Sequence, residues 1–583
     1  MVKEEWRVRT IAGDFQAIAH KFGIDPVTAR VLVNRGLKED ADFERFLHGT
    51  RADLYAPFLL KDMEKAVMLL LQYLKTEEHV RIIGDYDIDG VTSSFILRQG
   101  FLTYTERVKS KTKISVAIPH RMRDGYGLNE RLVREAHEDG VNVIVTCDNG
   151  IAAKAQIELA ASLGIRVIVT DHHEVPYETD ANGEKHYILP AAAEAIVDPK
   201  QEDCTYPFPE ICGAMVAYKL ILGLMEKAGI SMPSDLADDL FAFAAIGTVG
   251  DVMPLAGENY LAVKYGLRAV EHCHNVGLRA LIRACELEGK HITAYHVGFI
   301  LGPCFNAAGR LQSAEDVLEL LVAESETEAA IKAEKLRALN ESRKLMTEEG
   351  VEQAISMIEG EGDDIPAVLV VFLPGVHESL AGIIAGRLRE RYYRPVYVVT
   401  EGGDGLKGSG RSIDEYHMFE EMNRVKEHFK KFGGHKLAAG FTLADNDVDG
   451  FRRDLNAACS LDPENLTRKI YIDVPMPIDY ASMRLAEQLR ALEPFGTGNP
   501  APLFAHRNAI VSEGRKVGRS GNAYKMTVKS DAGASLDAIY FGDVDALLEL
   551  LSQKGNRCDM IYTLEVNEFR QERTLQAVVK YVK

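Results

Sequence analysis

Short runs of β-branched residues alternate with amphipathic segments between about residue 60 and residue 255. The runs cover residues 80–83, 141–145 and 166–170. Between the last two runs, apolar residues recur at helical spacing over residues 152–163, and Gly164 follows as a typical helix stop. This alternation of strand, helix and strand predicts a parallel sheet.

The pattern changes twice further along the chain. Residues 314–358 are rich in charge, keep apolar positions at helical spacing and contain no Gly or Pro before Gly350, which predicts a linking helix. A second α/β segment starts with residues 366–373 and extends to about residue 449. From residue 469 onward, short β runs separated by turn residues predict a small β-barrel or sandwich.

These patterns predict an α/β protein with five parts. They are an N-terminal segment (1–50), a parallel-sheet domain (51–313), a linking helix (314–358), a second α/β domain (359–450) and a C-terminal β-barrel domain (451–583). We expect the chain before residue 449 to fold without the barrel.

Composition narrows the class of protein. The 583 residues are 46% hydrophobic and 27% charged, which excludes a disordered or fibrous chain. Apolar runs such as 66–71 and 367–373 are far shorter than the about 20 residues of a membrane-spanning helix. The N-terminus lacks a secretory signal, and the eight cysteines are scattered, so we expect a cytoplasmic protein with reduced thiols and no membrane contact.

The charge argues against a general affinity for polyanions. There are 68 basic and 87 acidic residues, a net charge of -19, so any nucleic-acid site has to be local. Basic residues concentrate at 107–123 and at 424–436. Each patch is equally consistent with a solvated face and with a local nucleic-acid contact.

Each predicted strand of the first sheet is followed by metal-ligand types. These are Asp85, Asp87 and Asp89 after the first run, Asp148 after the second, and Asp171, His172 and His173 after the third. Because sites in open α/β sheets lie beyond the carboxyl ends of the strands, we expect the three clusters to converge. Asp251, in Gly-Thr-Val-Gly-Asp-Val, is a fourth acidic candidate.

Three carboxylates within five residues repel one another unless a cation or a raised pKa neutralises them. Carboxylates mixed with imidazole suit Mn²⁺ or Mg²⁺ better than a thiolate-selected zinc site. The alternatives are an Asp-rich turn and an N-cap for the helix that opens near Val91.

Several motifs together carry a family resemblance. Asp-Tyr-Asp-x-Asp-Gly, Asp-Asn-Gly, Asp-His-His and Gly-Thr-x-x-Asp-Val, in this order, resemble the DHH phosphoesterase superfamily. Gly-Ile-Ile-Ala-Gly-Arg-Leu (382–388), Ser-Gly-Arg-Ser (409–412) and Gly-Gly-His (433–435) resemble the associated DHHA1 domain. With Leu-Glu-Pro-Phe-Gly-Thr-Gly-Asn-Pro (492–500) in an OB-like barrel, the chain resembles the bacterial RecJ family from about residue 50 to its end.

The resemblance implies a 5′→3′ single-stranded-DNA exonuclease that releases 5′-mononucleotides in DNA repair and recombination. It implies two Mn²⁺ or Mg²⁺ ions held by Asp87, Asp89, Asp148, His172 and Asp251. It also implies that Asp85, Asp171 and His173 act beside the metals as ligands, supporting groups or transition-state groups. Single-stranded DNA is the implied partner, with a helicase and a single-strand-binding protein as further candidates.

The resemblance also implies substrate-binding residues, each with a structural alternative. They are Arg121, Tyr126, Asn306 and Arg310 along the DNA path, and Ser409, Arg411, Ser412 and His435 in the second domain. We expect residues 409–412 to run into a helix starting near Asp414, whose backbone N–H groups would form an anion seat beside the Arg411 guanidinium. The alternatives are a glycine turn with a surface arginine, and a His435 that caps a strand.

The barrel is expected to bind single strands through a basic groove with interleaved aromatics. The candidates are Arg507, Arg515, Lys516, Arg519, Lys525 and Arg570, with Tyr524 and Phe569. Two other functions stay open: a DHH phosphodiesterase acting on short RNA or cyclic dinucleotides, and a non-catalytic DNA-binding scaffold. The barrel favours DNA over the first, and the retained metal-ligand types argue against the second.

Overall fold

The structure is a computed structural model that describes residues 3–180, 182–360, 365–403, 405–518, 521–569 and 572–583. The chain forms two compact units. The larger unit comprises Val8–Gly309, Ser313–Leu336 and Tyr471–Lys583. The smaller unit comprises the chain start through Arg7, together with Arg310–Gln312 and Arg337–Ile470.

The N-terminal region and the first sheet contain these elements in chain order. The first part has β1 (Glu4–Val8), α1 (Phe15–Phe22), α2 (Pro26–Asn34), α3 (Asp40–His48) and α4 (Met63–Tyr73). The sheet region has β2 (His79–Ile83), α5 (Ile88–Val108), β3 (Lys113–Ala117), α6 (Arg121–Asp124), α7 (Glu130–Glu138), β4 (Val143–Cys147), α8 (Lys154–Ser162), β5 (Arg166–Thr170), β6 (Tyr177–Thr179), β7 (Lys185–Tyr187) and β8 (Ala195–Val197). A helical region follows with α9 (Gly213–Ala228), α10 (Ser234–Gly250), α11 (Gly257–Glu271), α12 (Val276–Ala284), α13 (Ala294–His296) and α14 (Gly302–Leu311).

A five-stranded parallel sheet organises this part of the larger unit. Its strand order is β3-β2-β4-β5-β8, and every neighbouring pair is parallel. The predicted strands are confirmed as β2, β4 and β5, whose apolar residues are buried on both faces. The order reverses between β2 and β4, so the crevice beyond their carboxyl ends is the expected place for a site.

The predicted linking helix is divided into two helices, α15 (Glu315–Leu321) and α16 (Glu326–Gly360). The break has a local cause. The Ser325 hydroxyl accepts a hydrogen bond from the backbone N–H of Glu328 (3.2 Å), which is the N-cap arrangement that starts a new helix. The expectation of one continuous helix from residue 314 was therefore wrong in its first part.

The smaller unit contains a second, mixed sheet. Its elements are β9 (Leu369–Phe372), α17 (Ala381–Tyr392), β10 (Val396–Gly402), β11 (Gly405–Arg411), α18 (Met418–Arg424), β12 (Phe429–Gly434), β13 (Ala438–Leu443) and α19 (Val448–Ala457). The strand order is β12-β13-β11-β10-β9, in which β9 and β10 are parallel. Apolar clusters cover both faces of this sheet.

The C-terminal region forms the predicted barrel. The elements of this region are β14 (Arg468–Ile472), which lies outside the barrel, α20 (Met483–Arg490), β15 (Phe504–Val517), β16 (Ala523–Lys529), β17 (Ser535–Phe541), α21 (Val544–Gln553), β18 (Arg557–Phe569) and β19 (Glu572–Val582). The five strands β15-β16-β17-β19-β18 close into a barrel. In the described residues, no helix combines the length and apolarity needed to cross a bilayer.

The barrel shares its hydrophobic core with the N-terminal helices. Val31, Leu32 and Phe43 lie in one buried cluster with Leu489 and Phe504. Removing the barrel would expose these apolar side chains to water. The expectation that the chain before residue 449 folds without the barrel is therefore not supported by its packing.

Candidate active site

The first acidic cluster lies where β2 turns into α5. Asp87 is the N-cap of α5, and its carboxylate accepts hydrogen bonds from the backbone N–H groups of Asp89 (3.0 Å) and Gly90 (3.1 Å). The helix therefore begins at Ile88, three residues earlier than Val91. The N-cap alternative holds for Asp87, and the cap itself turns the next acid, Asp89, toward α9.

The other two acids of this cluster are held by backbone N–H groups from distant segments. Asp89 accepts hydrogen bonds from Gly213 (2.7 Å) and Ala214 (2.9 Å), the first residues of α9. Asp85 accepts one from Gly127 (3.1 Å) through Oδ1. Its Oδ2 atom is buried and has no hydrogen-bond partner. Each carboxylate is thus fixed in direction, and one oxygen of Asp85 is left for a further ligand.

The clusters that follow the strands converge on His172. Its Nε2 atom lies 3.0 Å from Oδ1 of Asp148, 3.6 Å from Oδ2 of Asp89 and 3.7 Å from Oδ2 of Asp251. These four side chains come from the ends of β4, β5 and α10 and from the start of α5. The arrangement brings together the groups that the sequence predicts to meet, within the reach of a metal ion.

The carboxylates of this crevice are electrostatically strained as a group. Burial, with the neighbouring Asp87 charge, raises the pKa of Asp85 to about 8. Burial, with Asp89 and Asp87, likewise raises the pKa of Asp251 to about 8. The pKa values of Asp87 and Asp148 are raised for the same two reasons. Clustered, desolvated carboxylates with an orphaned oxygen are a donor set that fits hard divalent cations such as Mn²⁺ and Mg²⁺.

The two histidines are in different electrostatic states. Burial lowers the pKa of His172, which favours the neutral imidazole that binds metals. Nδ1 of His173 lies 2.8 Å from Oδ1 of Asp171. Despite partial burial, this contact raises the pKa of His173 to about 9. It also holds the pKa of the buried Asp171 below its ordinary value, so that His173 and Asp171 form an imidazolium–carboxylate pair.

Tyr126 and Arg121 border the cluster. The Tyr126 hydroxyl donates to the backbone carbonyl of Asp148 (2.6 Å) and lies 3.1 Å from Nε2 of His173. The Arg121 guanidinium lies over the ring of Tyr86, 5.0 Å from its centroid. Tyr126 therefore contacts the cluster directly. Arg121 instead contacts Tyr86, the residue between Asp85 and Asp87 in the sequence.

Asn306 supports the acidic loop from α14. Its Oδ1 accepts a hydrogen bond from the backbone N–H of Ile88 (3.0 Å). Gly309, one turn further, has no room for a side chain because a Cβ would collide with the carbonyl oxygen of Tyr86. Residues 306–309 thus pack directly against the loop that carries Asp87.

Arg310 and Arg411 both lie near the start of α17 within the smaller unit. Nη1 of Arg310 donates to the carbonyl oxygen of Ser379 (2.8 Å). The Arg411 guanidinium packs on Gly382, where a Cβ would lie 2.9 Å from Nη2. Two arginines therefore flank the first turn of a helix whose N-terminal backbone carries partial positive charge.

The anion seat predicted after residue 412 is wrong. Ser409 and Arg411 lie in β11, where Ser409 pairs with Val398 and Gly440 and its backbone is part of the sheet. The following helix, α18, begins only at Met418. The helix terminus beside Arg411 is that of α17 instead.

Ser412 and His435 occupy positions with local structural contacts. The buried Ser412 hydroxyl donates to the carbonyl oxygen of Tyr416 (2.7 Å), which stabilises the turn after β11. His435 is exposed between β12 and β13, and its Nδ1 accepts from the backbone N–H of Leu437 (3.3 Å). Of the substrate-binding candidates in this domain, Arg411 places its guanidinium beside the first turn of α17.

Four of the predicted basic residues of the barrel, Arg507, Arg515, Lys516 and Lys525, lie on β15 and β16. Arg515 pairs with Lys525 across these strands, and Lys516 pairs with Tyr524. Arg507 and Arg515 are exposed. Arg519, Arg570 and the Phe569 side chain lie outside the described residues.

Two glycines that line the Asp89 carboxylate were missed from the sequence. A Cβ at Gly213 would lie 3.0 Å from Oδ2 of Asp89, and one at Gly247 would lie 2.6 Å from Oδ1. Gly247 opens the Gly-Thr-x-x-Asp motif and offered a signal. Gly213 offered none, because no local spacing connects residue 213 with residue 89.

Family models match three parts of the chain. The N-terminal domain of the DHH family matches residues 79–248, the DHHA1 domain matches residues 366–461, and the RecJ OB domain matches residues 472–581.

Similar proteins cover the chain almost completely. The single-stranded-DNA-specific exonuclease RecJ of Bacillus subtilis is 33% identical over 99% of this chain and 70% of its own length. That of Escherichia coli is 34% identical over 95% of both chains. Among solved structures, RecJ of Thermus thermophilus in complex with Mn²⁺ is 26% identical, with a TM-score of 0.80 over 100% of this chain and 80% of its own. Its complex with Mg²⁺ matches with a TM-score of 0.75 at 25% identity, over 100% of this chain and 78% of that one.

Proposed function

The chain belongs to the RecJ family of single-stranded-DNA-specific exonucleases, and we propose that it degrades single strands from the 5′ end and releases 5′-mononucleotides. It is a metal-dependent exonuclease by family. The direction, the products and the two-metal mechanism are our proposals. So is a role in DNA repair and recombination beside a helicase and a single-strand-binding protein.

The convergence of three acids, Asp89, Asp148 and Asp251, on His172 carries the proposal. We assign Asp87, Asp89, Asp148, His172 and Asp251 as the ligands of two Mn²⁺ or Mg²⁺ ions. The raised pKa values of Asp87, Asp148 and Asp251 support this assignment, because each reports a carboxylate that lacks a compensating positive charge. When bound, such ions lower the pKa of a coordinated water and neutralise charge on the phosphate oxygens.

The remaining residues of the crevice orient and stabilise the substrate. Nδ1 of His173 lies 2.8 Å from Oδ1 of Asp171, which raises the pKa of His173 against the effect of burial, so His173 is suited to donate a charge-assisted hydrogen bond to a phosphate oxygen. Asp171 fixes the His173 ring. Tyr126 supports the same ring through its hydroxyl. Asp85 offers its unpaired Oδ2 to the centre.

We propose that the two arginines at the start of α17 bind the 5′-terminal phosphate. Arg310 and Arg411 supply forked donors that match phosphate oxygens, and the helix terminus adds backbone N–H groups. Ser409, Ser412 and His435 are secondary candidates, since Ser412 and His435 hold local backbone contacts.

A substrate comparison tests this function against its rivals. The purified chain, with Mn²⁺, is given single-stranded DNA, duplex DNA, short RNA and a cyclic dinucleotide. We expect rapid digestion of single-stranded DNA and much slower turnover of the other three. Preferred cleavage of short RNA or the cyclic dinucleotide would support another DHH phosphodiesterase, and DNA binding without cleavage would support a scaffold.

A further inference from the structure

Two stacked aromatic side chains stand exposed on the helical segment that leads to Asn306. Phe299 is 68% exposed and Tyr295 is 62% exposed. Their ring centroids are 5.0 Å apart with an interplanar angle of 26°. Among the aromatic side chains that the structure describes, Phe299 is the most exposed. Two large rings exposed side by side form an apolar patch, which often marks an interaction site.

The backbone beneath these rings is irregular. Residues Val297–Leu301 form a π-helical turn between α13 and α14. Such turns are rare and occur frequently at functional sites, where the extra residue redirects side chains. This one packs against α10, since a Cβ at Gly298 would lie 3.8 Å from Cγ1 of Val249. Val249 lies two residues before the proposed metal ligand Asp251.

Val252, the residue after Asp251, is a second anomaly, three residues beyond Val249. It has φ +59, a left-handed conformation that is strongly disfavoured for a β-branched residue. The backbone N–H of Val252 donates to the carbonyl oxygen of Val249 (3.1 Å), and the backbone N–H of Met253 donates to that of Thr248 (3.1 Å). These two bonds form the helix-ending motif in which the position of Val252 is ordinarily a glycine. The strained position leaves the Val252 side chain 66% exposed. Backbone strain of this kind concentrates at functional sites.

We infer that Tyr295, Phe299 and Val252 form a base-binding face that stacks on the nucleobases of the single strand beside the metal centre. The inference rests on the proposed function, because it takes its occupant from the activity on single-stranded DNA. Three observations select that occupant. The two rings stack on each other at an interplanar angle of 26°, which leaves their outer faces for bases. The turn beneath them contacts the helix that carries Asp251. The same segment continues into Asn306, which holds the acidic loop.

If the base-binding face exists, part of the affinity for single-stranded DNA depends on the nucleobases and not on the phosphates. Binding is measured by fluorescence anisotropy with the full chain, using Ca²⁺ in place of Mn²⁺ to prevent digestion. We expect Phe299→Ala and Tyr295→Ala each to weaken binding of a single strand about fivefold or more, as the loss of one stacked base predicts. Phe299→Trp should retain binding. The slope of log Kd against log salt should stay unchanged, because no phosphate contact is lost.

A strand of the same length with abasic sites separates stacking from folding defects. We expect wild type and Phe299→Ala to bind this abasic strand equally. The matched control is Tyr177→Ala with Tyr187→Ala, an exposed ring pair in the same unit with centroids 5.9 Å apart, which should bind like wild type.

Three results would overturn the inference: unchanged affinity in both alanine variants, an equal loss on the abasic strand, or a change of oligomeric state in place of DNA affinity. Failure of the proposed function is distinguishable, since it would appear as absent Mn²⁺-dependent digestion by wild type while the binding comparison still gives its own answer.

Discussion

Replacing Asp251 by Asn separates a metal-ligand role from a structural role better than any other change in the crevice. Asp87 caps α5 and Asp89 holds the start of α9, so their loss would also destabilise the fold. The Asp251 carboxylate lies 3.7 Å from Nε2 of His172, and 30% of its side chain is exposed. Asn keeps the size of the side chain and removes the charge.

Without metal, we expect the loss of the Asp251 charge to stabilise the fold. The pKa of Asp251 rises from 3.8 to about 8 in the metal-free fold. Ionising it therefore costs on the order of 5 kcal/mol, which solvent screening of the partly exposed side chain reduces to a few kcal/mol. The folded state of wild type should therefore become less stable as the pH rises from about 4 to about 8. In this range the unfolded chain has already released the Asp251 proton, whereas the folded protein still holds it. Asn does not titrate, so metal-free Asp251→Asn should be the more stable protein at about pH 8 and similar to wild type near pH 4.

Thermal unfolding in EDTA and in Mn²⁺ measures this directly. We expect the variant to unfold at the higher temperature in EDTA at pH 8, and wild type to gain more from Mn²⁺ because ligand binding stabilises the fold that binds it. Turnover should fall about 100-fold to 1,000-fold, since a metal ligand contributes several kcal/mol to the barrier. Asp235→Asn, an exposed acid in the first turn of the same helix, is the matched control and should behave like wild type.

Two results would refute this reasoning. Near wild-type turnover in the folded variant would remove Asp251 from the metal centre. A variant that is less stable than wild type in EDTA at pH 8 would show that the carboxylate stabilises the fold and is not repelled by its neighbours.

Three other predictions follow from single contacts. Arg411→Ala should reduce hydrolysis of 5′-phosphorylated strands more than that of 5′-hydroxyl strands, measured as kcat/KM for each; an equal loss would exclude an end-binding role. Tyr126→Phe removes the hydroxyl beside His173. We expect turnover to fall about tenfold or less, as the loss of one hydrogen bond predicts, and metal affinity to stay unchanged. A loss of metal affinity would instead make Tyr126 a structural support of the metal centre. Replacing both Arg515 and Lys525 by acidic residues should raise the Kd for long single strands and flatten its dependence on salt, while short oligonucleotides are cleaved as before. An unchanged salt dependence would indicate that the barrel has a structural or partner-binding role.

The first sheet and its acids could be predicted because their signals are local. Each buried strand is a short apolar run, and parallel topology brings the carboxyl ends together, so the sequence alone predicts that Asp148 and His172 meet. The closed barrel was predictable for the same reason, from alternating runs separated by turns.

The parts that failed depend on long-range packing. Ser409 and Arg411 read as a glycine-rich loop, but pairing with Val398 and Ala438 makes this segment a strand, and no local pattern reveals those partners. No pattern in the sequence around Phe43 indicates that this residue packs against barrel residues hundreds of positions later in the chain. The exposed ring of Phe299 belongs to no motif, since helical spacing alone predicts a buried aromatic as readily as an exposed one.

The most direct test of the account is the order in which labels leave a single strand. Identical strands carry a label at either the 5′ or the 3′ nucleotide, and digestion is followed with Mn²⁺ and, as a control, with EDTA. The account predicts that the 5′ label appears first, as a mononucleotide, while the 3′ label stays in long fragments, and that EDTA stops both. Early release of the 3′ label, internal cleavage into oligonucleotides, or undiminished digestion in EDTA would contradict it.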